Sequence, residues 1–261
     1  MTNERQTADL PEYSAGAGHS HDTGGHPGGH PGGHPHGKPG GKPSMTLEDG
    51  TPACRLIAWE ITRSCNLACK HCRAEAHPEP YENELSTAEA KALIDTFPGV
   101  GNPIVIFTGG EPLMRHDVFE LIPYAKAKGL RCVMAPNGTL LSDENVAKIK
   151  AVGVERCSIS IDAPEAAQHD EFRGVPGAFA ASLAGIERLK RAGIEFQINT
   201  TVTRHNLPYF KDIFQLCQRL GASAWHIFLL VPTGRAVELG AEIITADEYE
   251  QVLNWFYDFR K

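Results

Sequence analysis

What the 261-residue chain lacks sets the first limits. No uninterrupted apolar run approaches the ~20 residues that span a bilayer, which argues against a transmembrane protein. The start, MTNERQTADL, has no apolar h-region, so no secretory signal is expected. There is no basic excess: Lys plus Arg number 25 against 32 Asp plus Glu, a formal net charge of −7. That balance argues against a general nucleic-acid binder. The cysteines number seven, an odd count without the spread of a disulfide framework. A reduced, cytoplasmic compartment with no membrane partner fits these absences.

Residues 1–44 lack almost everything a core is built from. Among Ile, Leu, Val, Phe, Trp and Met they hold only Met1 and Leu10. They carry 11 of the 26 glycines, 6 of the 18 prolines and 6 of the 12 histidines. Such a segment cannot bury enough apolar surface to offset its ordering entropy, and a disordered tail is expected. GGHP repeats in it at 24–27, 28–31 and 32–35, and Met45 beyond it is an alternative start. Histidine-rich tracts bind metals, so a His-rich metal-binding protein is a reading of a different class.

From Cys54 the texture changes, and 45–261 reads as one α/β unit. Short β-branched runs at Leu56–Ile61, Pro103–Phe107, Arg131–Ala135, Arg156–Ile161, Glu195–Val202 and Trp225–Val231 read as strands. Helical patterns at Thr87–Phe97, Asp117–Lys128, Asp143–Val152, Ala178–Ala192, Tyr209–Leu220 and Ala246–Phe259 alternate with them. Ser86 and Ser142 stand where N-caps belong, with Glu89 completing a capping box. Gly129, Gly153, Gly193 and Gly221 stand where left-handed C-caps belong. Six β-then-α units in succession imply parallel strands with right-handed crossovers. The expected fold is a partial (β/α)6 barrel of TIM type, two units short of a full barrel. A doubly wound open sheet is the alternative, and either places reactive groups at the C-terminal strand ends. Glu248–Lys261 reads as a helix with neither cap nor following strand, so the chain is expected to stop short of a further C-terminal part.

Cys65-Asn66-Leu67-Ala68-Cys69-Lys70-His71-Cys72 follows the first strand, a C-x3-C-x2-C spacing on one loop. Thiolates are soft ligands that suit zinc or iron–sulfur clusters. Zinc needs a fourth ligand, for which His71 and His77 are near in sequence. Three cysteines on one loop also suit a 4Fe–4S cluster with one iron left open. Thr108-Gly109-Gly110-Glu111-Pro112 follows the second strand, where glycines let backbone approach a ligand and Glu111 can accept from an ammonium group. Alternation puts Ser158, Ser160 and Asp162 on one strand face, unusual for a barrel interior; Asp162 can instead cap the following turn. His169-Asp170-Glu171-Phe172-Arg173-Gly174 places a guanidinium suited to a carboxylate nearby. Asn137-Gly138 reads as a turn. Cys54, Cys132, Cys157 and Cys217 are scattered and expected as buried apolar residues.

CNLACKHC with GGEP resembles the radical S-adenosylmethionine (radical SAM) superfamily, whose fold is a partial (β/α)6 barrel. The resemblance implies that Cys65, Cys69 and Cys72 hold a 4Fe–4S cluster and that SAM chelates its open iron. One electron then cleaves SAM to methionine and a 5′-deoxyadenosyl radical, which abstracts hydrogen from the substrate. It implies SAM contacts from His71 at the adenine and from Gly109, Gly110, Glu111 and Pro112 at the amino group. Asn137, Ser160, Asp162, Arg173, Asn199 and Val231 are implied as further contacts. HDEFRG and VPTGRA resemble the subgroup with a C-terminal auxiliary-cluster domain, whose additional 4Fe–4S ligands are expected beyond Lys261.

LIAWEITRSCNLACKHCRAEA, TGGEPLMR, ISIDAPEAAQHDEFRG and LVPTGRA resemble a narrower family, the heme b synthases of the siroheme-dependent pathway. That resemblance implies oxidative decarboxylation of two propionates of iron-coproporphyrin III to vinyl groups. A flavodoxin- or ferredoxin-like electron donor is the implied partner. Another tetrapyrrole or a peptide is the alternative substrate. A macrocycle with carboxylates at its rim needs cationic anchors, and Arg115, His116, Arg204, His205 and Arg235 near strand ends are the candidates.

Overall fold

The computed structural model describes residues 46–259. The tail expected at 1–44, its GGHP repeats and Met45 lie outside them. The chain runs β1 (Leu56–Glu60), α1 (Thr87–Thr96), β2 (Ile104–Thr108), α2 (Val118–Ala127), β3 (Arg131–Met134) and α3 (Asp143–Ala151). It continues through β4 (Arg156–Ser160), α4 (Ala166–Arg173), α5 (Ala178–Ala192), β5 (Glu195–Val202), α6 (Phe210–Leu220), β6 (Trp225–Leu229) and α7 (Ala246–Phe259). All strand pairs are parallel, in the order β1-β2-β3-β4-β5-β6. A doubly wound sheet reverses its strand order at a switch point. No reversal occurs, so the sheet is the curled half-barrel of the first expectation.

The local signals act as their chemistry requires. Ser86 accepts from Glu89 N while the Glu89 carboxylate accepts from Ser86 N, a complete capping box, and Ser142 caps α3 through Asn145 N. Strand residues alternate. Phe107, Met134, Ile159 and Ile198 are fully buried with Ile94, Leu121, Ile149, Ile186 and Leu189 of the helices. Burial of each such side chain is worth ~1.5–3 kcal/mol. The opposite strand faces carry Thr108, Ser158, Ser160, Asn199 and Thr201 into the half-barrel. The apolar layer between sheet and helices therefore holds the barrel together, and its interior is free for polar groups.

One element departs from expectation. Residues 166–173 form α4, which ends at Gly174 in the left-handed region (φ 73). The stretch AAQHDEFR has one large apolar residue, Phe172, so no 3.6-residue period announces a helix. β1, β3, β4 and β6 end one or two residues before their apolar runs, so Ile61, Ala135, Ile161 and Val231 lie in the loops beyond them, whereas β5 ends as expected and β2 runs one residue further, to Thr108.

Candidate functional site

The cysteine loop crosses the C-terminal ends of the strands and is gripped from two sides. Beyond β2, a Cβ on Gly109 would lie 2.1 Å from Thr62 O, and one on Gly110 2.4 Å from Ser64 O. Only glycine allows this approach, and the backbones are joined there by Gly110 N to Thr62 O and Glu111 N to Ser64 O, each 2.8 Å. Beyond β6, a Cβ on Gly234 would meet Arg73 O at 2.4 Å and Cys72 O at 2.5 Å. The end of α4 adds a third hold, since Phe172 O and Arg173 O accept from Lys70 N (3.0 Å) and Ala68 N (3.2 Å).

Held this way, Cys65, Cys69 and Cys72 line one cavity of about 550 Å³. Cys65 and Cys69 are buried and Cys72 half-buried. Burial pushes the Cys65 thiol up to about 11, so its thiolate calls for a neighbouring cation or metal. Among the described residues no three His, Cys, Asp or Glu side chains converge as ligands of one ion. His71 lines the cavity, stacked on Phe172 with ring centres 4.3 Å apart, whereas His77 lies outside the lining and stacks on Tyr81. Of the two histidines near in sequence, His71 alone shares the cavity with the three thiols. Three soft thiols spread around one cavity fit a multi-iron cluster, in which each thiolate takes a different iron. Cys132, Cys157 and Cys217 are buried in the main core, and neither they nor Cys54 reach this cavity.

Of the remaining residues expected to hold SAM, His71, Gly109, Gly110, Asn137, Ser160, Arg173, Asn199 and Val231 line the same cavity. Glu111, Pro112 and Asp162 do not. Glu111 is fully buried and spends its two carboxylate oxygens on Leu113 N (3.0 Å) and Asn137 N (2.7 Å), tying the ends of β2 and β3 together. Burial, opposed by those two N–H groups, pushes its carboxyl up to about 7. Pro112 opens the 3₁₀ turn that Glu111 caps.

Asp162 is fully buried, paired with the Arg173 guanidinium, and accepts from Thr201 N at 2.8 Å. Burial, the largest single influence, would raise its carboxyl, but Arg173, His71, His169 and the Thr201 N–H together outweigh it and hold the carboxyl below the usual range. Burial, then the Arg173 charge, depresses both His71 and His169 to about 4, so both are neutral near pH 7. His169 Nδ1 lies 3.3 Å from Asp162 N, which makes that nitrogen the acceptor.

The expected substrate anchors mostly fall elsewhere. Arg115 is buried and its donors are spent on Asp117, Ile61 O (2.7 Å) and Leu85 O (2.8 Å). It is a structural clip, a role that Arg-x-Asp spacing makes local. His116 and Arg204 are exposed outside the cavity, Arg204 facing Glu248 at 4.0 Å. His205 also lies outside the lining, stacked on the far face of Phe172 with Nε2 3.1 Å from Gln168 O. Arg235 does line the cavity, but Nε and Nη1 brace the cysteine loop through Cys69 O (2.8 Å) and Ala76 O (2.6 Å). Its Nη2 is buried without a partner. Ala135, Arg73 and Phe228 also line the cavity, though no motif in the sequence marks them. For the two strand-associated residues among them, the period-2 alternation against buried neighbours is the available signal.

A family model described as the radical SAM superfamily matches residues 59–217. The chain is 76% identical over 216 residues to an AdoMet-dependent heme synthase of Oleidesulfovibrio alaskensis, covering 83% of this chain and 56% of that protein. It is 38% identical over 199 residues to an Fe-coproporphyrin III synthase of Methanosarcina barkeri, covering 76% and 50%. The chain thus spans about half the length of these curated relatives. A Streptococcus suis SuiB structure bound to S-adenosylmethionine shares the fold, with a TM-score of 0.61 at 13% identity over 79% of this chain and 48% of that one. Among the described residues, no helix is long and apolar enough to cross a membrane.

Proposed function

This chain belongs to the radical SAM superfamily, and from that premise we propose that it oxidatively decarboxylates two propionates of iron-coproporphyrin III to the vinyl groups of heme b. Cys65, Cys69 and Cys72 would hold a 4Fe–4S cluster. Gly109, Gly110, Asn137, Ser160, Asn199 and Val231 would line the SAM site, with His71 and Arg173 at its edge. Bound there, cluster and SAM would supply hydrogen-atom abstraction, and each propionate that lost a hydrogen atom would release carbon dioxide and pass one electron to an external electron acceptor. The observation that carries the reading is the gathering in one cavity of three cysteines and the polar residues Thr108, Ser158, Ser160, Asn199 and Thr201 of β2, β4 and β5.

The chain's own residues do the positioning. The glycine contacts of Gly109, Gly110 and Gly234 hold the cysteine loop against the strand ends. The half-barrel's inner hydroxyl and amide groups offer donors and acceptors to a polar ligand such as a ribose. Buried, neutral His71 presents a flat ring to the cavity, backed by Phe172. Heme synthase is favoured over the related tetrapyrrole reaction by the 76% identity to the former against 38% to the latter. A flavodoxin- or ferredoxin-like protein would deliver the electron.

The test is anaerobic. Protein loaded with iron and sulfide receives SAM, dithionite and iron-coproporphyrin III, and mass spectrometry follows heme b and 5′-deoxyadenosine. Both should form, and both should vanish when Cys65, Cys69 and Cys72 are replaced by Ala. Deoxyadenosine without heme moves the substrate to another tetrapyrrole or a peptide. Neither product, with one zinc bound per chain, overturns the reading.

A further inference from the structure

Each of the three site sulfurs receives a hydrogen-bond donor, and the donors are not alike. Cys65 Sγ accepts from Leu67 N at 3.4 Å, with Asn137 Nδ2 at 3.9 Å. Cys72 Sγ accepts from Ala76 N at 3.4 Å. These donors are neutral. Cys69 Sγ instead accepts from Arg173 Nη1 at 3.6 Å. Among the described residues, Arg173 is the one cationic donor to these sulfurs.

Arg173 is fixed where it stands. It ends α4, whose last carbonyls bind the backbone of the cysteine loop at Ala68 and Lys70. Its Nη2 pairs with Asp162. Asp162 is itself fixed, because it accepts from Thr201 N and its own carbonyl accepts from Asn206 Nδ2 at 2.9 Å. The guanidinium is therefore held at one end by a carboxylate and presents its other end to Cys69 Sγ. The pair forms a dipole whose positive end faces the sulfur.

We propose that Arg173 is a positioning residue that raises the reduction potential of the cluster through Cys69, and that Asp162 sets the size of this effect. The inference rests on the cluster assignment proposed above. One-electron reduction by an external low-potential donor adds negative charge that is shared by the cysteine sulfurs. A hydrogen bond and a buried positive charge at one sulfur favour the reduced form. Removing the cation should therefore make reduction harder. Removing the Asp162 charge should make it easier, because the cation is no longer offset. Opposite shifts from two neighbouring substitutions are a signature that general loosening of the site does not produce.

The experiment is a potentiometric titration of the anaerobically loaded protein, read by EPR of the reduced cluster, with SAM left out. Iron and sulfide are counted in each sample. R173Q should lower the equilibrium constant for reduction about tenfold, which is ~59 mV for one electron. R173K keeps charge but loses the planar fork that reaches both partners, so it should shift in the same direction by less. D162N should shift the opposite way. A cluster-bearing R173Q, or R173K if R173Q holds no cluster, with the parent's potential overturns the proposal. So does a D162N shift in the same direction as R173Q. If neither arginine variant retains iron, Arg173 serves assembly and the proposal is rejected. A parent protein without a 4Fe–4S signal overturns instead the cluster assignment on which the proposal stands.

Discussion

Asp162 ties four parts of the structure together, so its loss should be costly well before any chemistry is considered. Its carboxylate joins the end of β4 to Arg173 on α4 and to Thr201 N on β5, and its backbone binds His169 and Asn206. Asp162→Asn keeps the shape and an oxygen for Thr201 N but removes the charge. Arg173 has only 9% of its side chain exposed, so the guanidinium is left buried and unpaired. Breaking a buried pair in this way costs ~3–5 kcal/mol. At ~2–4 °C per kcal/mol for a domain of this size, Tm should fall by about 6–20 °C. That lies within the ~5–15 kcal/mol by which domains are stable, so the variant should stay folded at 25 °C. Urea denaturation of the metal-free protein at pH 7 is the assay, run on D162N, R173M and the double variant. The double variant should lose at least ~1 kcal/mol less than the sum of the two, since removing both charges leaves neither stranded. A D162N loss below ~1 kcal/mol, or strict additivity, would refute the reasoning. The pH dependence has a definite sign. The Asp162 carboxyl is lowered in the folded state, so its contribution is present above the ordinary value of 3.8 and lost as pH falls through the folded value.

Other residues make independent predictions. Gly234→Ala should cost ~1–3 kcal/mol from overpacking and reduce iron bound per chain. Gly221→Ala, with no atom within 4 Å of its added Cβ, should leave iron content unchanged. Equal iron in the two would sink the argument that Gly234 grips the cysteine loop. Glu111 titrates in the other sense from Asp162: its folded pKa is raised from 4.5 to about 7. Its contribution is therefore complete below about 4.5 and lost as pH rises through about 7, a span of ~3 kcal/mol at ~1.4 kcal/mol per unit. Between pH 5 and pH 8 the Tm of the metal-free parent should fall relative to that of E111Q; parallel pH profiles would contradict the burial argument.

The parts of this molecule that were legible in sequence are those decided locally. A cap, a glycine after a helix and a β-branched run act within a few residues, and six repeats of that grammar specify the half-barrel without long-range information. The cysteine triplet is equally local, since its spacing alone keeps three thiols on one loop. Helix α4 escaped because a single large apolar side chain, Phe172, cannot display a period, and its place is set by hydrogen bonds to a loop about 100 residues earlier.

Side-chain direction at the strand ends was the harder quantity, and Asp162 shows why. Strict alternation puts Ser158, Ser160 and Asp162 on one face, and the first two do line the cavity. The strand stops at Ser160. Beyond it the backbone no longer keeps the two-residue period, and Asp162 turns to Arg173 and Thr201 N. Arg115 and Arg204 fail as cavity cations for the same reason, since each stands in a loop past a strand end, where parity says nothing about direction. Arg173 and Arg235 reach the cavity because other contacts carry them there: the tie between α4 and the cysteine loop for one, and the close passage of Gly234 under Cys72 for the other. Charge in this site is thus placed by tertiary contacts with the cysteine loop, and a substitution that shifts that loop should displace both arginines together.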